Sequence, residues 1–136
     1  MPRGAMRKTV DRSKSRNYLT VAQSFDGGAE LAKEYEYWNA SGVLIIHAAI
    51  AYTDAITIRL GGLKSQGENH HETIALAESL LPRDQATKKA LNQLRSILDE
   101  KTRVSYSGEV YQRKDVEHMW KLLARYRQWA LSVLAE

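Results

Sequence analysis

With 136 residues, 43% of them hydrophobic and 26% charged, the chain has the size and composition of one globular domain able to bury a core unaided. It has no cysteine, which excludes disulfides, thiolate metal sites and cysteine nucleophiles and fits a reducing compartment. The net charge of +4 is uneven: residues 1–16 carry Arg3, Arg7, Lys8, Arg12, Lys14 and Arg16 against Asp11 alone, a sum of +5 that leaves −1 for the other 120.

That imbalance reads as a flexible basic arm over 1–14, solvated or laid along a polyanion, followed by one helical-bundle domain over 15–136. The arm has no apolar stretch of the kind a secretory signal needs. The most apolar run, 43–52, is interrupted by His47 and reaches about half a membrane span. The expectation is a cytoplasmic protein without membrane association.

The first helix is predicted over 15–38, where Tyr18, Ala22, Phe25, Ala29 and Ala32 recur at steps of three and four. Gly27 and Gly28 mark a weak spot or bend within it. Asn39 to Gly42 reads as a short break, with Ser41 able to cap the next helix. That second helix, over 42–60, is apolar nearly all round and should be the central, most buried one, ended by Gly61-Gly62.

A polar loop over 61–69 leads to a short helix over 69–81, with Asn69 and Glu72 spaced as a capping pair and Pro82 as its stop. Asp84 should cap a fourth helix reaching about residue 101, with Ala90, Leu91, Leu94, Ile97 and Leu98 on its core face. After a loop over 102–112, the last helix is predicted over 114–135, started by Asp115. Its core stripe is Val116, Met119, Trp120, Leu123, Tyr126, Ala130 and Val133. A second line, His118, Leu122, Arg125 and Trp129, places two apolar residues where a monomer core has no obvious room, as a partner surface would. No strand pattern, repeat or low-complexity tract competes with an all-α, antiparallel bundle of four to five helices.

The four histidines, His47, His70, His71 and His118, form neither an H-E-x-x-H pair nor two Glu-x-x-His pairs, so neither a metal nor another cofactor is expected. Glu68 and His71 have the Glu-x-x-His spacing once, in a loop. Asp54 lies on the central helix, where a buried carboxylate needs a partner: Thr57, a base from a neighbouring helix, or an active-site arginine or histidine that it orients. His70 and His71 open the third helix, where free backbone N–H groups and imidazoles could meet phosphate or move protons.

Four features occur in order. They are a long helix, a central helix with the A-x-x-x-x-D-A core from Ala49 to Ala55, a short helix after a polar loop, and Arg103-x-x-Tyr106-x-Gly108 before a final amphipathic helix. This arrangement resembles HEPN domains across roughly 15–135. The resemblance implies an up-and-down helical bundle and a homodimer that binds or cleaves RNA without metal. In that family such a domain works as a toxin–antitoxin component beside an antitoxin or nucleotidyltransferase partner. It further implies an arginine followed, after four to six residues, by a histidine near the last helix. Arg113 and His118 match that spacing literally, while Arg103 fits the R-x-x-Y form without a following histidine.

Five residues along one helix turn through about 500°, placing Arg113 and His118 about 140° apart unless Arg113 precedes the helix. In this reading Arg103 or Arg113 stabilises charge on the phosphate, His118 or His71 transfers protons and Asp54 orients them. Tyr106 and Tyr111 could stack on bases. The alternatives are a non-catalytic helical module that docks a protein partner or binds a nucleotide and, with least support, a metal-binding bundle enzyme.

Overall fold

The computed structural model describes residues 7–66 and 69–136. Nine elements follow in order: β1 (Arg7–Thr9), a 3-10 turn (Arg12–Lys14), α1 (Ser15–Glu34), α2 (Trp38–Gly61), β2 (Leu63–Ser65), α3 (His70–Leu80), α4 (Gln85–Leu98), α5 (Lys101–Ser105) and α6 (Arg113–Ala135). The chain is predominantly helical, as its periodicities require. The strands are a departure: β1 and β2 pair antiparallel, with Arg7 opposite Ser65 and Thr9 opposite Leu63. Three residues per strand are too few for an alternating pattern to be read. The basic segment is therefore held from Arg7 onward, and its first six residues lie outside the described part.

Central position falls to α2, which packs against α1, α3, α4, α5 and α6. It buries Ile45, Ile46, Ala48, Ala49 and an unbroken run from Ala51 to Ile58. By length and composition it could cross a membrane, but most of it is buried by its neighbours here, and that burial accounts for its apolar character. Its alanines bring those neighbours close. Gly62 ends it in the left-handed conformation at φ 63°, donating back to the Ile58 and Thr57 carbonyls, as a helix C-terminus favours.

The first inter-helix break lies earlier than expected. α1 runs unbroken through Gly27-Gly28 and stops at Glu34, and Glu36 turns the chain at φ 63°. Ser41 and Gly42 belong to α2 instead. The Ser41 hydroxyl, fully buried, donates to the Ala29 carbonyl at 2.8 Å and joins α2 to α1. Gly42 lets α5 approach: a Cβ built there would sit 2.8 Å from Val104 Cγ2. Gly42→Ala should therefore cost about 1 kcal/mol despite the better helix former, because the overlap with a stiff β-branched side chain outweighs the propensity gain. A denaturant titration would show it, and Gly42→Ala with Val104→Ala should recover part of the loss; an unchanged Gly42→Ala midpoint would contradict this account.

The other helix ends follow local chemistry. Asn69 caps α3 by accepting from the His71 N–H at 2.9 Å, and Glu72 lies 3.7 Å from Arg7. Asp84 caps α4 by accepting from Thr87 N at 2.8 Å, and the Thr87 backbone contact holds its carboxyl below its ordinary pKa. α4 ends at Leu98, and the expected loop begins instead with the single-turn helix α5. At α6, Gln112 and Asp115 form a reciprocal capping box. α6 buries Val116, Met119, Leu123, Tyr126 and Ala130 as read from the sequence, while Trp120 and Val133 are only partly covered. Leu122 and Trp129 also pack partly against the core, so this second line is not a free apolar stripe. Tyr126 is fully buried; its hydroxyl bonds Thr53 Oγ1 at 2.5 Å, and Thr53 in turn donates to Ala49 O at 2.7 Å.

Candidate functional site

The expected site residues fall into three separate places. The first is the junction of α5 and α6, where Arg103 lies inside a ring of acids. Its Nε donates to Glu109 at 2.6 Å, one Nη to Glu100 at 2.8 Å and the other to Asp115 at 3.2 Å. The guanidinium lies 4.5 Å above the Tyr111 ring, whose hydroxyl accepts from it at 3.2 Å and donates to Glu100. Glu109 first, then Asp115 and Glu100, raise the arginine's pKa above its ordinary value. One cation among three carboxylates leaves negative charge where a phosphate would have to approach. Arg103 here is a latch that ties α5, the following loop and α6 together.

The two tyrosines of this segment have different fates. Tyr111 is 1% exposed, burial first and then Glu100 raise its pKa, and it offers no face to a base. Tyr106 is 75% exposed. Asn39, read from the sequence as part of a break, holds the segment in place from the first turn of α2. It donates to the Val104 and Glu109 carbonyls at 3.0 Å each and accepts from the Tyr111 N–H at 2.8 Å. An asparagine beside small residues carries no sequence signal for a contact so distant in the chain.

The second place is the outer face of α6. Arg113 is the first residue of that helix and is exposed, with its guanidinium 5.1 Å from the Trp38 ring and 3.7 Å from Glu36. His118 is exposed too. Both occupy one helix five residues apart, so by helix geometry they face about 140° away from each other. They do not converge within one chain. Lys114, His118, Lys121 and Arg125 are all exposed and recur at steps of four, three and four, with Glu117 the acid among them. This line covers about 16 Å of helix.

The third place is a cleft of about 120 Å³ bounded by α2, β2, α3, the end of α4 and α5, with Ile50 and Leu98 as its apolar part. Asp54 and His70, proposed from the sequence for unconnected reasons, both line it. Lys64, Ser65 and Lys101 line it as well and were not anticipated, because two of them fall in the stretch read as a polar loop. Asp54 is 5% exposed and burial pushes its pKa up to about 7, against the opposing pull of Lys64, whose Nζ is 3.8 Å away. Thr57 does not serve that carboxylate; its hydroxyl donates to the Asp54 backbone carbonyl at 3.3 Å. The His70 Nε2 lies 3.2 Å from Asp99, and its ring is 4.8 Å from the exposed His71 ring. His47 is exposed and packs its ring 5.6 Å from Phe25.

A larger open groove, about 840 Å³, runs between α3 and α4 past Glu78, Arg83, Lys88 and Arg95 and holds none of the expected residues. Among the described residues, no three His, Asp or Glu side chains come together as a metal ion would need. The Glu68 half of the Glu68–His71 spacing lies outside the described residues. No protein-family model, curated protein or solved structure matches the chain.

Proposed function

We propose that the chain is a HEPN-like helical domain that binds RNA without metal, as a homodimer in the cytoplasm, within a toxin–antitoxin or related stress system. The supporting observation is the outer face of α6, where exposed Lys114, His118, Lys121 and Arg125 follow one another at helical spacing. Lysines and an arginine so arranged can follow a phosphate backbone, whose charge supplies most of the affinity of nucleic-acid binding. Cleavage would require His118 of one copy to meet an arginine of the second, since Arg113 faces elsewhere on the same helix and Arg103 is held by three acids.

The test is fluorescence anisotropy with single-stranded and structured RNAs in excess EDTA, at two salt concentrations. Lys121→Ala combined with Arg125→Ala should weaken binding about tenfold at low salt and flatten the salt dependence by one to two phosphate contacts, roughly as counterion release requires. Where strand cleavage accompanies binding, His118→Ala should abolish it while Arg103→Ala lowers stability instead. Absence of binding at low salt would end the RNA reading. A second reading, docking of a protein partner, has its own observation. Tyr35 and Tyr37 between α1 and α2, with Tyr106 and Val110 between α5 and α6, are 67–79% exposed on two segments joined through Asn39.

A further inference from the structure

The cleft beside Asp54 is built from parts that α6 does not share. Lys64 and Ser65 come from β2, His70 from the first turn of α3, Lys101 from the first residue of α5 and Asp54 from the middle of α2. Pairing with β1 places β2 here: Ser65 stands opposite Arg7, and the strand follows α2 directly after Gly62. Among the described residues, four ionisable side chains line the cleft: the basic Lys64, His70 and Lys101, and the acid Asp54. The His70 ring is oriented by Asp99 at 3.2 Å.

A second observation is independent of that charge balance. The Ser65 hydroxyl is buried, in a residue 7% exposed, and has no hydrogen-bond partner among the described residues. A buried hydroxyl keeps unmet hydrogen-bonding capacity unless something else occupies the space before it. Thr73, 7% exposed, brings a second hydroxyl to the same cleft. Two ammonium groups and an oriented imidazole, with the hydroxyl-bearing Ser65 and Thr73 among the lining residues, form a donor-rich set. The volume of about 120 Å³ admits a tetrahedral oxyanion.

The geometry points to a binding site for a phosphate group in this cleft, as free orthophosphate or the terminal phosphate of a monoester, held by Lys64, Ser65, His70 and Lys101. The site stands apart from the proposed RNA-binding face, since none of its residues lies on α6. Asp54 sets its preference. In the empty cleft its carboxylate attracts Lys64; with a phosphate present, the protonated acid can donate a hydrogen bond to a phosphate oxygen while Lys64 turns to the anion.

The test is titration of the full chain with inorganic phosphate and, separately, with ribose 5-phosphate, ribose and dimethyl phosphate, followed by calorimetry and by backbone amide shifts. Saturable binding is expected for orthophosphate, for ribose 5-phosphate or for both, with shifts centred on Ser65, His70 and Lys101. The monoester binding more tightly would identify a monoester as the ligand, and orthophosphate binding more tightly would identify the free ion. Ribose should not bind, and the singly charged diester should bind about tenfold more weakly. Lys101→Met should reduce phosphate affinity about tenfold or more, and Ser65→Ala, which disturbs the fold least, severalfold. Asp54→Asn should bind phosphate at least as tightly as the wild type, because it removes the one acid among the described lining residues. No saturable binding by either phosphate, or wild-type affinity in both Lys101→Met and Ser65→Ala with unchanged melting curves, would overturn the proposal.

Discussion

Asp54→Asn is expected to raise the melting temperature at pH 8 and to leave it nearly unchanged at pH 4. The Asp54 carboxyl is held by burial at a pKa of about 7, against an ordinary value of 3.8. Between those values the folded chain keeps a proton that the unfolded chain has released. Stability must therefore fall as pH rises through that window, by about 1.4 kcal/mol per unit at most. The stabilising contribution of the protonated acid is complete below the unfolded value and lost as pH climbs towards 7. Integrated over roughly three units, the bound is on the order of 4 kcal/mol, and water entering the cleft will reduce it. The charged group that acts on Asp54 is Lys64, which opposes the shift; Asp54 in turn adds to the rise that burial gives the Tyr126 hydroxyl. Thermal melts of both proteins from pH 4 to pH 8 decide the matter: parallel curves would mean that Asp54 is solvated in the native state.

Asp26→Ala is expected to destabilise the fold by about 2–3 kcal/mol, or roughly 10 °C in melting temperature for a chain of this size. The Asp26 carboxylate accepts from Arg127 of α6 at 2.8 Å on both oxygens and from the Tyr52 hydroxyl of α2 at 2.9 Å. It thus joins three helices at one point. Removing it leaves the Tyr52 hydroxyl, in a residue 1% exposed, without its acceptor and a partly covered guanidinium without its counter-charge. Arg127 is 30% exposed at its side chain, which places the loss below that of a fully buried pair. Asp26→Asn, which keeps an acceptor for Tyr52, should cost about half as much. A loss below about 0.5 kcal/mol for Asp26→Ala would mean that water replaces the carboxylate at no cost.

These two acids show what periodicity can and cannot reveal. The apolar face of α1 was legible because Ala22 and Ala29 recur at helical spacing, and α4 and α6 were legible for the same reason. Asp26 lies in that same α1 face, four residues after Ala22 and three before Ala29. A charge in a core stripe announces a partner, but nothing in the sequence says that the partner is 101 residues away. The break between α1 and α2 was misplaced because Ser41 and Gly42 have the composition of a turn while serving close packing. The true turn uses Glu36 in a left-handed conformation that glycine or asparagine would ordinarily mark. Lys64 and Ser65 went unnoticed because a three-residue strand pair is specified by tertiary contacts.

The candidate site was legible only as separate residues. Asp54 drew attention as a carboxylate in a buried helix, and His70 as an imidazole at a helix start; that they line one cleft depends on β2, which packs against both α2 and α3. Arg103 was legible as a functional arginine by resemblance, yet Glu100, Glu109 and Asp115 stand around it. Spacing alone does not distinguish an arginine waiting for phosphate from one already satisfied by acids.

The Asn39 clamp has a kinetic consequence. One side-chain amide closes the chain over 72 residues to the Tyr111 N–H, so these bonds gain nothing until α2, α4 and the start of α6 are in place. Val104 and Tyr111 are the apolar anchors of the segment between α4 and α6, and the remainder from Ser105 to Val110 is exposed. That segment is expected to form late in folding and to open before α2, which lower amide protection in hydrogen exchange would show. Its amides exchange with solvent through a local excursion, while those of α2 wait for the whole molecule to unfold.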